Sequence, residues 1–177
     1  EFADREGMAL ALNRLGTATF RQQSYAEARS LYQQSLDLYR ELNDKGGLAS
    51  TLNGLAFVAS GQADYETASQ YFQQALQITH DLQFTPLALW VVLGIGEMLL
   101  RNRQIARGVE VLGLVEQHPA AEREASLRAL HCLDQFCDQL TPDEITASYR
   151  RGRQLDLNHV TQAVLTDLST WRSDTGS

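Results

Sequence analysis

Several short stretches of this 177-residue chain carry residue types that can do chemistry. Gly94-Ile95-Gly96 begins like a phosphate-cradling glycine loop. Leu99 stands where the third glycine is needed, and the stretch sits in the middle of a predicted helix, so it reads as helix packing. The four histidines, His80, His118, His131 and His159, fall on separate elements with no HExxH or ligand pair, so no metal site is expected. Cys132 could be a nucleophile, but a small buried hydrophobe fits its helical setting better. The carboxylate pairs Glu122/Glu124 and Asp143/Glu144 lie in first helical turns, where the helix dipole favours negative charge, so no acid–base pair is assigned. Arg150-Arg151-Gly152-Arg153 is a basic run at a helix end; a solvated, dipole-favoured terminus is the expectation, and contact with an anion or acidic partner the lesser one. No catalytic set remains, no cofactor is expected, and an enzyme is not expected.

The elements that carry these residues repeat. Leu15-Gly16 returns as Leu55-Ala56 and Ile95-Gly96, each 40 residues on. The same offset takes Tyr25 to Tyr65 and Ile105, Ala28 to Ala68 and Gly108, Tyr32 to Phe72 and Leu112, and Ser35 to Ala75 and Val115. A recurring small residue beside a large one is what two close antiparallel helices require, so each repeat is predicted to be a hairpin of helices A and B. The Leu and the small residue after it are placed where A meets its own B, and the aromatic or Leu of helix B between repeats. Ala11, Leu12, Leu15, Ala18 and Thr19 have helical spacing. Gln23-Ser24 and Gly61-Gln62 are predicted to separate A from B, Gly46-Gly47 to break the chain between the first two repeats, and Thr85-Pro86 to open the third A helix.

Beyond residue 117 the pattern changes. His118-Pro119 is predicted to start a helix running through Leu127, Leu130, Leu133 and Phe136. Thr141-Pro142-Asp143-Glu144 reads as a capping box opening a helix that stops near Gly152. Asn158 is expected to cap a last amphipathic helix through Val160, Ala163, Val164, Leu168 and Trp171. No stretch has strand alternation. The expected fold is therefore all-α: three hairpins over residues 3–117, non-repeating helices over 118–172 that cover the apolar end of the array, and a polar tail over 173–177.

The order large, small, aromatic, small, aromatic, small resembles the tetratricopeptide (TPR) pattern, whose usual period is about 34 residues. The longer period here resembles the repeats of kinesin light chain and its relatives. Val111-Leu112-Gly113-Leu114-Val115-Glu116-Gln117-His118-Pro119-Ala120 and Gly152-Arg153-Gln154-Leu155-Asp156-Leu157 are similar to the C-terminal region of large bacterial signal-transduction ATPases of the STAND class, including LuxR-type regulators. The resemblance implies a TPR superhelix (an α-solenoid) with a C-terminal helical cap. It also implies a sensor or autoinhibitory role in a larger bacterial regulator, and a nucleotide-binding domain upstream in the same polypeptide. This chain carries no nucleotide-binding motif.

In such a stack the A helices line a groove, which places Asn13, Thr17, Phe20 and Arg21, then Asn53, Phe57 and Ser60, then Leu93, Glu97, Leu100 and Arg101 along it. Leu12-Asn13 and Leu52-Asn53 resemble the Leu-Asn pairs whose asparagine ladder holds extended peptides; repeat three has Leu93 in that place. A carboxamide both donates and accepts, so it can grip a peptide unit without reading its side chain. The plainer alternative leaves both asparagines solvated or capping local structure. Trp90, Leu93 and Leu100 make the third A helix apolar on its groove side. Burial by the C-terminal helices is the favoured account of them, and an anchor pocket the other.

The expected function is binding a protein or peptide, the alternative being a small-molecule sensor. A net charge of -7 repels phosphate backbones and anionic lipid, so neither direct nucleic-acid binding nor a membrane partner is expected. The longest apolar run, Leu87 to Leu100, contains Glu97 and is too short to span a bilayer. Cys132 and Cys137 on one helix would stand about 7.5 Å apart, beyond disulfide reach. With no signal peptide or glycosylation sequon, a cytoplasmic location is the expectation. Glu1-Phe2 reads as a cloning remnant and Ser173–Ser177 as a tail, both suggesting a fragment of a longer protein.

Overall fold

The computed structural model describes residues 2–170. Trp171 and the tail expected over 173–177 lie outside the described residues, as do the side chains of Cys137, Ala163 and Leu168. Among the described residues every regular element is helical: α1 (Phe2–Arg21), α2 (Tyr25–Leu42), α3 (Lys45–Gly61), α4 (Tyr65–Asp81), α5 (Thr85–Arg101), α6 (Ile105–Gln117), α7 (Arg123–Phe136), α8 (Pro142–Gly152) and α9 (Leu157–Thr170), with a 3-10 turn at Cys137–Gln139. The chain divides into two compact units between Phe84 and Thr85, the first holding α1–α4 and the second α5–α9.

The helices end by one device used every 20 residues. Gln23, Asn43, Ala63, Gln83 and Arg103 all adopt left-handed backbone, with φ between 52° and 62°. Each donates its N–H to the carbonyl three residues back, and the next residue donates to the carbonyl five back: Ser24 to Thr19, Asp44 to Tyr39, Asp64 to Ala59, Phe84 to Thr79 and Gln104 to Leu99. This pair of bonds satisfies the orphan carbonyls of a helix end and reverses the chain in three residues. The 40-residue period is thus two helices of similar length, each closed by the same turn. The break before α3 falls at Asn43-Asp44, not at Gly46-Gly47, which lie inside its first turn. Asp44 and Asp64 then cap α3 and α4 by accepting from the N–H groups of Gly47 and Thr67.

In the first unit the α1/α2 hairpin closes as its small residue requires. Tyr32 of α2 lies against Gly16 of α1, with an added Cβ meeting its ring at 3.0 Å. The same tyrosine lies on Gly54 of α3, so one ring fills the gap between two A helices, as expected of the aromatic in helix B. Tyr25 and Tyr39 repeat the contact on Gly61 and Gly47. Three tyrosines spaced by seven along α2 therefore seat on three glycines spaced by seven along α3, in antiparallel order. Tyr32, Tyr39 and Leu36 are buried there. Leu15 departs from expectation. It is 53% exposed, while its counterparts Leu55 and Ile95 are 2% and 1% exposed. The small residue after it, and not Leu15 itself, meets helix B; Leu15 is turned 100° away.

In the second unit α5 and α6 form a hairpin closed by Gly96 against Leu112 and Gly108 against Leu100. The helix expected from His118-Pro119 begins later, at Arg123: His118 ends α6 with extended backbone, and Pro119 lies in the turn that follows. The buried stripe of α7 is Ala125, Ala129 and Cys132, whereas Leu127 and Leu130 are exposed. α8 opens with the predicted capping box, Thr141 and Glu144 bonding reciprocally. These bonds hold the Glu144 carboxyl below the usual range. It ends on Gly152, whose missing side chain lets the helix lie directly on the Glu110 carbonyl of α6. Asp156, not Asn158, caps α9 by accepting from the N–H groups of Asn158 and His159. Val160 and Val164 of α9 are buried as expected.

Candidate functional site

The groove residues of α1 and α3 sit on adjoining helix faces within the first unit. Asn13 does not stand free there: its Nδ2 donates to Thr51 Oγ1 at 2.8 Å. Thr51 donates to the Gly47 carbonyl at 2.8 Å, and Ser35 donates to the Ala9 carbonyl at 2.8 Å while lying 3.4 Å from Thr51. The first rung of the ladder thus spends its donor on tying α1 to α3. Thr17 is engaged too, bonded to the Asn13 carbonyl at 3.1 Å and paired with the Tyr32 hydroxyl at 2.9 Å. Asn13 is therefore neither solvated nor a local cap; it bonds within the stack.

Asn53 differs. It is 8% exposed, and its Oδ1 has no hydrogen-bond partner in the structure. A buried carbonyl oxygen without a donor costs about 1–3 kcal/mol. One helical turn on, Phe57 is half-buried, as is Phe20 of α1. Their rings lie 6.0 Å apart, Tyr25 flanks Phe20 at 5.9 Å, and Phe72 meets Phe57 edge-on at 5.8 Å. Arg21 is exposed at the end of α1, and Ser60 is buried. The first unit therefore combines a buried acceptor with a partly open aromatic pair. The open rings can take an apolar side chain, while the Asn53 oxygen is closed off from solvent.

In the second unit the face predicted to be a groove is occupied by protein. Leu93 and Leu100 are closed to solvent, Glu97 is 8% exposed, and α7 packs on α5. Arg128 of α7 donates from Nε and Nη2 to the two carboxylate oxygens of Glu97, at 2.6 and 3.0 Å. Trp90 Nε1 donates to Glu122 at 3.1 Å. Arg101 remains exposed. The small residues Ala125, Ala129 and Cys132 let α7 approach closely. Leu93 and Leu100 are buried, Leu100 against Gly108 of α6, and Trp90 is half-buried beside Glu122. Burial pushes the Cys132 thiol up to about 12, as do the Glu97 carboxylate and its hydrogen bond, leaving it a poor nucleophile at neutral pH.

Residues 7–79 match the family model described as Tetratricopeptide repeat. The matched stretch runs through α1–α3 and most of α4, and the TPR hairpins it spans are the two of the first unit. No match was found among curated proteins or among solved structures. The fold is all-α with TPR-type helix hairpins. TPR repeats generally mediate protein–protein interaction and are not generally catalytic. No helix of the described residues is long and apolar enough to cross a membrane.

The basic run is engaged by the TPR-like hairpin of the second unit. Arg151 Nε donates to Glu110 at 2.6 Å, Arg153 Nε donates to Gln117, and the Tyr149 hydroxyl donates to Glu116 at 2.5 Å. Sequence reading placed these arginines at a solvated terminus. Their pairing with α6 depends on Gly152, and an isolated Gly beside arginines carries no signal for it.

Proposed function

We propose that the chain is a protein- or peptide-binding module that uses the α1/α3 face of its first unit, with Asn53, Phe57, Phe20 and Arg21 as the contact residues. The observation that carries this reading is the unpartnered, buried Oδ1 of Asn53 beside two partly open rings. Once the side chains that enclose it shift, that oxygen would accept a backbone N–H of an extended peptide, whose neighbouring side chain would cover Phe20 and Phe57. Asn13 and Thr17 support the face from within. The second unit contributes no groove to this reading, because α7 already lies on α5.

The test is panning of a random dodecapeptide library against the chain, followed by calorimetric titration of the enriched peptides. Asn53→Leu is expected to weaken binding at least tenfold while leaving the chain folded and no less stable, since it removes an unsatisfied buried oxygen. Enriched peptides that bind the variant equally well would overturn the assignment. The proposal extends to context: the C-terminal resemblance supports a sensor or autoinhibitory role in a larger ATP-dependent bacterial regulator. A parent gene encoding no nucleotide-binding domain would overturn that part alone.

A further inference from the structure

We infer that the exposed side of α7 is a self-association surface whose partner is the antiparallel α7 of a second copy of this chain. α7 buries its small residues, Ala125, Ala129 and Cys132, and leaves two larger apolar ones open: Leu127 is 55% exposed and Leu130 44%. Single exposed leucines are ordinary on a protein surface. These two belong to a pattern. Arg123, Leu127, Leu130 and Asp134 follow one another at intervals of four, three and four residues, all within α7. At 100° per residue they fall within about 60° of arc, so they form one narrow seam of the kind through which helices pair. Arg123 and Asp134, at the two ends of the seam, are exposed as well.

The order of charges along the seam decides the occupant. Its spacing is symmetric about a point between Arg128 and Ala129. An antiparallel copy therefore sets Leu127 opposite Leu130 of the second chain, and Arg123 opposite Asp134 of the second chain. A two-fold axis gives each of these contacts twice, which is the self-complementarity that a symmetric dimer requires. A parallel copy would set arginine against arginine and aspartate against aspartate, and like charges there oppose pairing. On the opposite side of the helix, the ion pair between Arg128 and Glu97 ties α7 to α5 and so fixes the direction in which the seam looks. The contact is small, two leucines and one charge at each end from each copy. It belongs to the weak class of interfaces, with a Kd on the order of 100 µM.

The experiment is sedimentation equilibrium of the full chain at concentrations from about 5 to 500 µM, which span that range of affinity. A monomer–dimer equilibrium is expected, and Leu127→Glu should weaken it by about tenfold or more. Thermal unfolding of this variant at low concentration should match the parent chain, because the altered side chain is exposed. Charge changes test the orientation. Arg123→Asp and Asp134→Arg each leave like charges facing across the pair and should weaken it, whereas the two changes combined should restore it. Both agree with the dipole of α7, acid at its start and base at its end, so neither threatens the helix itself. A chain that stays monomeric throughout would overturn the inference. So would a dimer indifferent to Leu127→Glu, whose interface would lie elsewhere. A combined variant that associates no better than the single ones would exclude the antiparallel pairing.

Discussion

Tyr32 of α2 and Gly54 of α3 are in direct contact: a Cβ built on Gly54 would lie 2.5 Å from Cζ of the tyrosine ring. The contact is the middle rung of a ladder that continues at Tyr25 with Gly61 and Tyr39 with Gly47. Gly54→Ala forces the ring out of its seat and is expected to cost about 1–3 kcal/mol in urea unfolding. Tyr32→Leu in the same chain should recover part of that loss, giving a non-zero coupling in a double-mutant cycle. Gly7→Ala is the contrasting change. It meets open space and should stabilise the helix by about 0.5–1 kcal/mol.

Ala63 holds left-handed backbone at φ 60° with a side chain that disfavours it. That conformation costs a non-glycine residue roughly 1–2 kcal/mol, and the more flexible unfolded chain of a glycine variant returns part of the gain. Ala63→Gly should therefore raise the urea midpoint, by about 0.5–1 kcal/mol in stability. Ala59→Gly, inside α3, should lower it. Equal responses at the two positions would contradict the turn geometry.

The ion pair between Glu97 and Arg128 joins a carboxylate side chain that is 9% exposed to an arginine with a third of its side chain in water. Arg128→Ala leaves the carboxylate buried without its partner and is expected to cost about 3 kcal/mol. Adding Glu97→Gln should restore most of the loss, because the remaining group is neutral. The measurement is equilibrium unfolding of both single variants and the double variant, with α7 followed by hydrogen exchange.

Cys132 gives a pH dependence with a definite sign. Its folded pKa, about 12, lies above the ordinary thiol value of 9.0, so the folded state favours the thiol. The stabilisation is complete below pH 9 and falls away as the pH rises through the folded value. Unfolding free energy should decline between about pH 9 and 12, less steeply in Cys132→Ala. Burial raises Tyr39 and Tyr149 in the same direction, so part of the slope persists in that variant. In a Cys137→Ser background, iodoacetamide at pH 8 should label Cys132 only on unfolding.

Gly152 abuts the Glu110 carbonyl, a backbone atom that has no rotamer with which to retreat. Gly152→Ala should lift the end of α8 from α6 and break the bond between Arg151 and Glu110. A loss of about 1–3 kcal/mol is expected. Trypsin should then cleave after Arg150 or Arg151 faster than in the parent chain.

The sequence by itself determined the helical content, the 40-residue period, the small residues at which hairpins close, and the Thr141–Glu144 capping box. Each is local or periodic, and each is written in residue types whose preference does not depend on a distant partner. Helical spacing also fixes which residues of α1 and α3 share a side. Only the tertiary structure decided what each face meets. Leu15, Leu55 and Ile95 are indistinguishable in pattern, yet Leu15 is open and the other two are buried. Asn13 and Asn53 occupy equivalent positions, yet Thr51 takes the donor of one while the other keeps an unpaired oxygen. The turns spaced by 20 residues carry no glycine at their left-handed positions; the breaks near Gln23 and Gln62 were legible, and those at Gln83 and Arg103 were not. The inward side of α7 was hidden for a related reason: the small Ala125 and Ala129 are buried and the larger Leu127 and Leu130 exposed, reversing what hydrophobicity alone predicts. Hydrophobic spacing sets the sides of a helix, and the neighbours that the fold brings up decide which of those sides is filled.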